Sequence, residues 1–392
     1  MIRVYNKLFC SPEYTKFKSQ LYFLRTFADQ NDSYELVDDA SQPCIILVFP
    51  DVITVLSDES LKEIAETYNQ TPGNKIVIDT SLEEFVKEPY YHCVSKLLRL
   101  GVSEEDIFVL AGQTATSTFV NDFKIPFTTF SINTFETAFM VHTKMDNIEV
   151  PEIAPRKLKK HFISFIKNAR FIRRVFHAHL KTNGHLDKTY ATYHNLSEPY
   201  SRKDIDWLKL FHFINPIADN NESMQQLEDI SKVINIDNIF ETGEWNYPSE
   251  VLKHGGISLN HETHALLNWG SLPNDPIYHR VFLTEKTYKN FFYGIPHLSL
   301  GIPKENSYLQ QLGYKGFESL FKTKISDTGY ISCFQSYFEL IDEIASMSLQ
   351  ELEDLLNSEE CIKRLKHNQD RFLQQNEFKK LLEIFNTISD KY

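Results

Sequence analysis

The sequence of 392 residues lacks any long apolar run. Its longest uninterrupted apolar stretch, residues 44–50, is far shorter than the roughly 20 residues that a membrane-spanning helix needs. The start, "MIRVYNKLFCSPEYTKF", has no apolar segment of the kind found in a secretory signal. We therefore expect no membrane span and a cytoplasmic location.

Cysteines are few, and basic residues are outnumbered by acidic ones. The five cysteines are odd in number, widely scattered and never spaced as a CxxC pair, so they indicate neither a disulfide framework nor a zinc ribbon. We expect free, buried thiols. The formal net charge of −12 argues against a general nucleic-acid binder. Residues 156–203 are a local exception, with twelve lysines and arginines against two acids and a local charge of +10, so we expect phosphate to bind there.

The chain is long enough for two domains, and it alternates strand-like and helix-like segments. In the N-terminal part we predict strands at "PCIILVF", "KIVIDT" and "DIFVLAGQ", with helices around "SLKEIAETYNQ" and "YYHCVSKLLRLG". Strands separated by helices of this length predict a parallel α/β sheet. Two prolines and a charge run in "NIEVPEIAPRKLKK" are typical of an interdomain linker, so we predict domains at residues 1–150 and 151–392.

The C-terminal part repeats the alternation. Strands are predicted at "HFISFI", "TYATYH" and "ISLNHET", and helices at "RFIRRVFHAHLK" and "SMQQLEDISKVI". From about Phe334 onward the pattern is helical, and Ser348 and Glu351 are spaced as a capping box. We predict a second Rossmann-like domain, whose terminal helices either complete it or pack back on the first domain.

The segment "VFLTEKTYKNFFYGIP" places a threonine, an acid and a base at a predicted helix start. We predict an N-cap at Thr284, a helix over residues 285–293 and a stop at Gly294. Glu285 and Lys286 then fall in the first turn, where a cation is unfavourable beside the helix dipole unless an anion lies between them. Helix N–H groups and a lysine form a phosphate site, and a carboxylate accepts hydrogen bonds from sugar hydroxyls. A capped surface helix with two solvated charges is the alternative.

A second polar cluster follows the predicted strand "HFISFI". Four residues crowd the start of the next helix: Asn168, Arg170, Arg173 and Arg174. In a parallel α/β domain ligands bind at the carboxyl ends of strands, so we expect this cluster and Thr284 to face the same crevice. A solvated helix face is the alternative for the arginines.

The segment "ISLNHETHALLNWG" puts Glu262 just beyond another predicted strand, between His261 and His264. The spacing differs from the H-E-x-x-H of zinc peptidases, whose two histidines share one helical face. We therefore expect polar hydrogen bonding around a crevice. A metal hydrolase that uses these three residues remains an open alternative.

Four segments together resemble the donor-site signature of fucosyltransferase-like glycosyltransferases: "FLTEKTYKNFFYGIPHLSLG", "FISFIKNARFIRR", "LNHET" and "YLQQLGYKGFE". They also resemble glycosyltransferase-like proteins common in viruses of bacteria and algae, and the resemblance covers residues 160–373. It implies an α/β fold of two Rossmann-like domains facing each other across a cleft, the GT-B arrangement, with C-terminal helices. The N-terminal domain would bind the acceptor and the C-terminal domain the nucleotide-sugar donor. If the protein is viral, its location would be the host cytoplasm.

The resemblance also implies roles for single residues. Arg174 and Lys286 would contact the donor diphosphate, Glu285 would take donor hydroxyls, and Glu262 would lie near the transferred sugar or its nucleotide. Arg173 stands where the viral members tend to carry histidine, so Arg174 is the better candidate. Enzymes of this architecture typically work without a bound metal, and no DxD motif stands at a predicted strand end, so no metal is expected.

The implied function is transfer of a sugar from a nucleoside-diphosphate sugar, a co-substrate rather than a tightly bound cofactor, to an acceptor hydroxyl. Fixed cations and N–H groups would stabilise the departing diphosphate, and a base would take the acceptor proton. Asp79, which ends "KIVID", is the candidate base, with an N-cap before "SLEEF" as its alternative role. The acceptor is a saccharide or a hydroxymethylated base of viral DNA. A non-catalytic module that binds sugar nucleotides or glycans is the alternative.

Overall fold

The chain forms two compact units. The computed structural model describes residues 2–5, 9–10, 34–49, 56–80, 87–112, 127–132, 136, 139, 143, 147–166, 171–193, 202–231, 247–261, 283–300, 305–374 and 376–390. The first unit comprises Met1–Ile148 and Gln375–Tyr392, and the second unit comprises Glu149–Gln374. Both ends of the chain therefore belong to the first unit.

Strands and helices alternate along most of the described chain. The strands are β1 (Ile2–Tyr5), β2 (Phe9–Cys10), β3 (Tyr34–Val37), β4 (Ile45–Phe49), β5 (Lys75–Thr80), β6 (Ile107–Gly112), β7 (Thr128–Ile132), β8 (Lys160–Ile166), β9 (Thr189–Tyr193), β10 (Gly255–His261) and β11 (His297–Leu300). The helices are α1 (Asp58–Tyr68), α2 (Lys87–Arg99), α3 (Phe171–Thr182), α4 (Arg202–Leu210), α5 (Asn220–Ser231), α6 (Ser249–His254), α7 (Glu285–Tyr293), α8 (Glu305–Gln311), α9 (Tyr330–Ser346), α10 (Leu349–Leu356), α11 (Glu359–Leu373) and α12 (Asn376–Ser389). None of these helices has the length and apolarity needed to cross a bilayer.

The first unit contains a parallel sheet, which has seven strands in the described residues. Their order is β3-β1-β4-β5-β6-β7, with β2 paired to β4. Each strand is parallel to its neighbours. Parallel neighbours need a crossover, and α1 and α2 supply two of these connections, from β4 to β5 and from β5 to β6.

Both faces of this sheet are buried. Ile46 of β4 belongs to a core with Leu61 and Ile64 of α1, whereas the preceding residue, Ile45, belongs to a core with Phe385 of α12. Successive strand residues point to opposite faces, so a strand covered on both sides reads as a continuous apolar run. This explains why "IILVF" of β4 was recognisable as a strand.

Helix α12 is the part of the C-terminal region that belongs to the first unit. The hydroxyl of Tyr34 in β3 donates to the carbonyl of Leu382, 3.2 Å away, and the ring centroids of Tyr34 and Phe385 are 6.3 Å apart. Helices α9 to α11 belong to the second unit. Helices α9 to α11 therefore complete the second unit, whereas α12 packs on the first unit.

The second unit contains a parallel sheet with the strand order β11-β10-β8-β9 in the described residues. Phe162 of β8 and Ile257 of β10 belong to a large core shared with Phe176 of α3. Ile163, the next residue of β8, belongs to a separate core with Ile295. Helices therefore cover both faces of this sheet as well.

The predicted α/β class, with parallel sheets, is confirmed. Six predicted strands are present as β4, β5, β6, β8, β9 and β10. The capping box of Ser348 and Glu351 is formed at the start of α10. Four of the five cysteines are buried and free, while the side chain of Cys10 lies outside the described residues.

The packing of α12 on the first unit predicts a large loss of stability for Phe385→Ala. Phe385 is 1% exposed, and removal of a buried phenylalanine side chain costs about 3–5 kcal/mol. The neighbouring Asn386 is exposed, so Asn386→Ala should change the free energy of unfolding by less than about 0.5 kcal/mol. Urea denaturation followed by far-ultraviolet circular dichroism measures both variants. Equal midpoints for the two variants would contradict this packing.

Candidate functional site

Two connections leave the centre of the second sheet in opposite directions. Strand β8 continues through α3 to β9 on one side, and β10 continues through α7 to β11 on the other. The strands β8 and β10 are themselves neighbours. In an open parallel sheet, the place where the strand order reverses leaves a crevice outside the carboxyl ends of the two central strands, and ligands bind there. Helices α3 and α7 both begin at this carboxyl edge.

The N-terminus of α7 is capped as predicted. Thr284 is extended, with φ −109° and ψ −177°, and its side chain accepts a hydrogen bond from the backbone N–H of Lys286 at 3.4 Å. The ammonium of Lys286 donates to the same Thr284 hydroxyl at 3.1 Å. The lysine side chain therefore folds back to the first turn, beside the positive end of the helix dipole. An anion at this point would be stabilised by the ammonium and by the helix N–H groups together.

Helix α7 is buried rather than a surface helix, whereas the solvation of the Glu285 and Lys286 charges stays a prediction. Its predicted packed residues Tyr288, Phe291 and Phe292 are 0%, 2% and 1% exposed. Thr287 is fully buried as well, and its hydroxyl lies 3.3 Å from the hydroxyl of Ser299 in β11. The helix thus begins at the sheet edge and runs across the buried face of the sheet.

A buried polar network fixes α7 to the carboxyl end of β10. The Nδ2 of Asn290 donates to the Oδ1 of Asn260 and to the carbonyl of Lys286, both at 2.8 Å. The hydroxyl of Tyr247 donates to the Oδ1 of Asn290 at 2.8 Å, and that of Ser258 donates to Asn260 at 3.2 Å. Buried amides of this kind are costly unless hydrogen bonded, so the network selects one position for the helix.

Burial sets the chemistry of Tyr247 within this network. Desolvation raises the pKa of Tyr247 far above its usual value, so the hydroxyl stays protonated and remains a donor to Asn290. The ammonium of Lys289 lies 4.2 Å from the centroid of the Tyr247 ring, a cation–π contact. Asn260 adds a buried donor at the strand end, because its Nδ2 has no hydrogen-bond partner among the described residues.

The C-terminus of α7 is also held by hydrogen bonds. Gly294 ends the helix in the left-handed conformation, with φ 59°, and a side chain there would lie 2.6 Å from Ile153. The Nη2 of Arg156 donates to the carbonyl of Gly294, and the Nε2 of Gln369 donates to the carbonyl of Phe292 at 2.8 Å. Burial lowers the pKa of Arg156 to about 10, so it remains a cation at neutral pH at the negative end of the dipole. Both ends of α7 are therefore fixed.

The first turn of α3 contains two of the predicted arginines. Arg173 and Arg174 are only 5% and 2% exposed, so the alternative of a solvated face does not apply to them. A buried guanidinium needs acceptors or an anion to offset its desolvation. Asn168 and Arg170 lie outside the described residues.

The other predicted site residues are placed in part. Glu285 is the first residue of α7, but its side chain lies outside the described residues. Glu262 and His264 also lie outside them, directly after β10, of which His261 is the last residue. Thr284, Glu285 and Lys286 at the start of α7 and Arg173 and Arg174 in the first turn of α3 thus belong to the two helices that begin at the carboxyl edge of the second sheet. The role of Glu262 and the metal alternative stay predictions.

Asp79 lies in the first unit, at the carboxyl end of β5. It pairs in register with Leu110 of β6 and is half-buried. Residues 81–86 lie outside the described residues, so its alternative role as an N-cap stays a prediction.

Sequence reasoning missed the residues that orient α7, namely Asn260, Asn290 and Tyr247. Asn290 follows Lys286 by four residues, so it shares a helical face with it, and Asn260 follows Ser258 by two, so it shares a strand face. Polar residues at these spacings within otherwise buried elements were the available signal. Their partner Tyr247 lies 43 residues before Asn290 and had no signal of its own.

Comparison with known proteins gives no relative. No protein-family model matches the chain, and neither a curated protein nor a solved structure does. The functional conclusion therefore depends on the geometry of the carboxyl edge and on the chemistry of its residues.

The cap geometry predicts that Thr284→Ala lowers the free energy of unfolding by about 1 kcal/mol, because a helix N–H loses its acceptor. Thr284→Ser keeps the hydroxyl but removes a buried methyl group, so it should lower the free energy of unfolding by less than Thr284→Ala does. Urea denaturation followed by tryptophan fluorescence tests this, since Trp207, Trp245 and Trp269 all lie in the second unit. If serine destabilised as much as alanine, the hydroxyl would not be the cause.

Proposed function

We propose that the N-terminus of α7 binds the diphosphate of a nucleoside-diphosphate sugar and that the chain is a glycosyltransferase. The main support for the proposal is the contact of the Lys286 ammonium with the Thr284 hydroxyl, 3.1 Å apart. This contact lies at the N-terminus of α7, a helix whose two ends are fixed by hydrogen bonds. A lysine, a hydroxyl and helix N–H groups converge there, and each of them stabilises phosphate oxygens.

The surroundings support a ligand larger than a single phosphate. Strands β8 and β10 meet at the point where the strand order reverses, and in parallel sheets such a point accommodates nucleotides. Arg173 and Arg174 add positive charge at the start of α3, and the buried Nδ2 of Asn260 adds a donor at the end of β10. We assign Glu285 and Glu262 to the hydroxyls of the donor sugar or its ribose, in line with the sequence resemblance.

The proposed reaction needs no redox partner. The acceptor oxygen forms a bond to the anomeric carbon of the sugar, the bond from that carbon to the diphosphate oxygen breaks, and the electron pair leaves with the nucleoside diphosphate. Negative charge therefore grows on the diphosphate in the transition state. Lys286, Arg174 and the helix N–H groups are fixed donors that stabilise this charge without reorganising.

The acceptor proton requires a base, and Asp79 of the first unit is our candidate. This extends the proposal to a GT-B arrangement, in which one α/β unit binds the donor and the other binds the acceptor. The acceptor is a saccharide or a hydroxymethylated base of viral DNA. A non-catalytic sugar-nucleotide module would bind the same donor but would release no sugar from it, so turnover separates the two functions.

The proposal predicts that a nucleoside diphosphate raises the melting temperature. A ligand that binds only the folded state at 100 times its Kd adds about 2.7 kcal/mol, and each kcal/mol corresponds to roughly 2–4 °C for a unit of this size. Differential scanning fluorimetry with five nucleoside diphosphates, with the matching nucleosides as controls, measures the effect. The diphosphates should stabilise the protein and the nucleosides should not. No shift with any diphosphate at millimolar concentration would contradict the proposal.

Lys286→Ala should lower turnover far more than stability. Loss of a fixed cation at the departing diphosphate corresponds to a rate loss of about 10² to 10³. The melting temperature should stay level or rise slightly, since a lysine beside the positive end of a dipole is unfavourable. Lys253→Ala is the control, because Lys253 is exposed in the last turn of α6, which leads into the amino end of β10.

The readout is release of nucleoside diphosphate from its sugar conjugate, with glycans or hydroxymethylated DNA as acceptors. Lys253→Ala should turn over like the wild type. If Lys286→Ala also did so, at saturating and at limiting donor, the diphosphate role of Lys286 would be wrong. Donor binding by the wild type without any turnover would instead favour the non-catalytic module.

A further inference from the structure

A second polar cluster lies in the second unit, away from the carboxyl edge. The Oδ1 of Asp342 in α9 is 2.8 Å from the Nε2 of His179 and 2.7 Å from the Nε2 of His185. His179, His185 and Asp342 each offer one potential ligand atom, and these three atoms lie within 4.8 Å of one another. Two imidazole nitrogens and one carboxylate oxygen thus converge on one point.

The cluster belongs to the amino edge of the sheet. His179 lies in the last turn of α3, and His185 lies four residues before β9 begins at Thr189. Helix α3 starts at the carboxyl edge and runs back across the sheet, so its two ends are at opposite edges. The cluster is therefore separate from the proposed diphosphate site, and its chemistry does not depend on that proposal.

The two histidines are held in position by their own segment. Gly184 has φ +70°, a conformation that favours glycine, and it turns the chain after α3. The backbone N–H of His185 donates to the carbonyl of Leu180 at 2.7 Å, and that of Asn183 donates to the carbonyl of His179 at 3.1 Å. The turn brings His185 back toward the helix end, with the two rings 5.8 Å apart.

Helix α9 supplies both the third ligand and the packing for His179. The ring of Phe338 stacks on that of His179, with centroids 4.4 Å apart and planes 15° apart. Phe338 and Asp342 are four residues apart on α9, so one helical face orients the imidazole and presents the carboxylate. The side chain of His179 is 4% exposed, whereas that of Asp342 is 45% exposed. A solvated ion can therefore reach the cluster from the side of Asp342.

Three nitrogen atoms surround the Oδ1 of Asp342. Besides the two imidazoles, the Nδ2 of Asn183 lies 3.3 Å from the same oxygen. The amide of Asn183 is also 3.3 Å from the Nδ1 of His179. Rotation of the Asn183 side-chain amide by about 180° would place its oxygen beside the Nδ1 proton of His179. Metal-bound histidines typically donate their second ring N–H to such an acceptor.

We propose that His179, His185 and Asp342 bind a divalent transition metal of the zinc class, which crosslinks α3, the turn before β9 and α9. Two imidazoles and a carboxylate suit zinc or cobalt, whereas magnesium and calcium prefer oxygen ligands alone. Tetrahedral coordination with bonds of about 2.0–2.1 Å places ligand atoms roughly 3.3 Å apart. The half-exposed Asp342 can rotate outward by the few tenths of an ångström that this requires. A water would complete the coordination.

The test uses the full chain without a histidine tag, freed of metal by dialysis against a chelator. Addition of Zn²⁺ should raise the melting temperature, Co²⁺ should give the visible absorption of a tetrahedral site, and Mg²⁺ should do neither. His185→Ala should reduce Zn²⁺ affinity by at least about 10²-fold, because loss of even an outer partner costs 10- to 100-fold. Asp342→Asn should also weaken binding and, being half-exposed, should fold normally.

His254→Ala is the matched control. His254 also lies beside a carboxylate, with its Nε2 3.6 Å from Glu250, but the described residues place no third ligand there. This variant should bind Zn²⁺ like the wild type. If Zn²⁺ stabilised neither the wild type nor the control, or stabilised His185→Ala and Asp342→Asn as much as the wild type, the cluster would not be a metal site.

Discussion

The hydrogen bonds of Asn290 are the interaction on which the candidate site depends. A helix N-terminus stabilises an anion only over its first turn, so the direction of the helix decides whether the site works. Asn290 joins the carbonyl of Lys286 to the end of β10 through Asn260, and Tyr247 completes the network. Because all of these groups are buried, any other position of α7 would leave them unpaired at a high free-energy cost.

The second constraint is the burial of both faces of each sheet. Neighbouring residues of β4, Ile45 and Ile46, belong to different cores, and so do Phe162 and Ile163 of β8. With both faces covered by helices, the sheet edges where the strands end are the places left for polar chemistry. The reversal of strand order between β8 and β10 then selects one point on the carboxyl edge. The metal site that we propose lies at the opposite edge of the same sheet.

Local signals were predictable, and long-range contacts were not. The helix from Glu285 to the stop at Gly294 was predicted correctly, because the residues that directly flank it, Thr284 and Gly294, have known preferences for helix ends. Strands β1 and β11 are four residues each, too short for a periodic signal. The amphipathic pattern of α12 predicts a helix but not its unit, because apolar contact is non-directional. Asp342 and His179 are 163 residues apart, so no spacing rule could join them.

A crystal structure of the protein with a nucleoside diphosphate is the most direct measurement of the central claim. The account predicts diphosphate oxygens about 2.7–3.2 Å from the Nζ of Lys286, at the N-terminus of α7. It also predicts that the hydrogen bonds of Asn290 stay unchanged, since the helix is already oriented. A diphosphate bound elsewhere, with no contact to the ammonium of Lys286, would contradict the account.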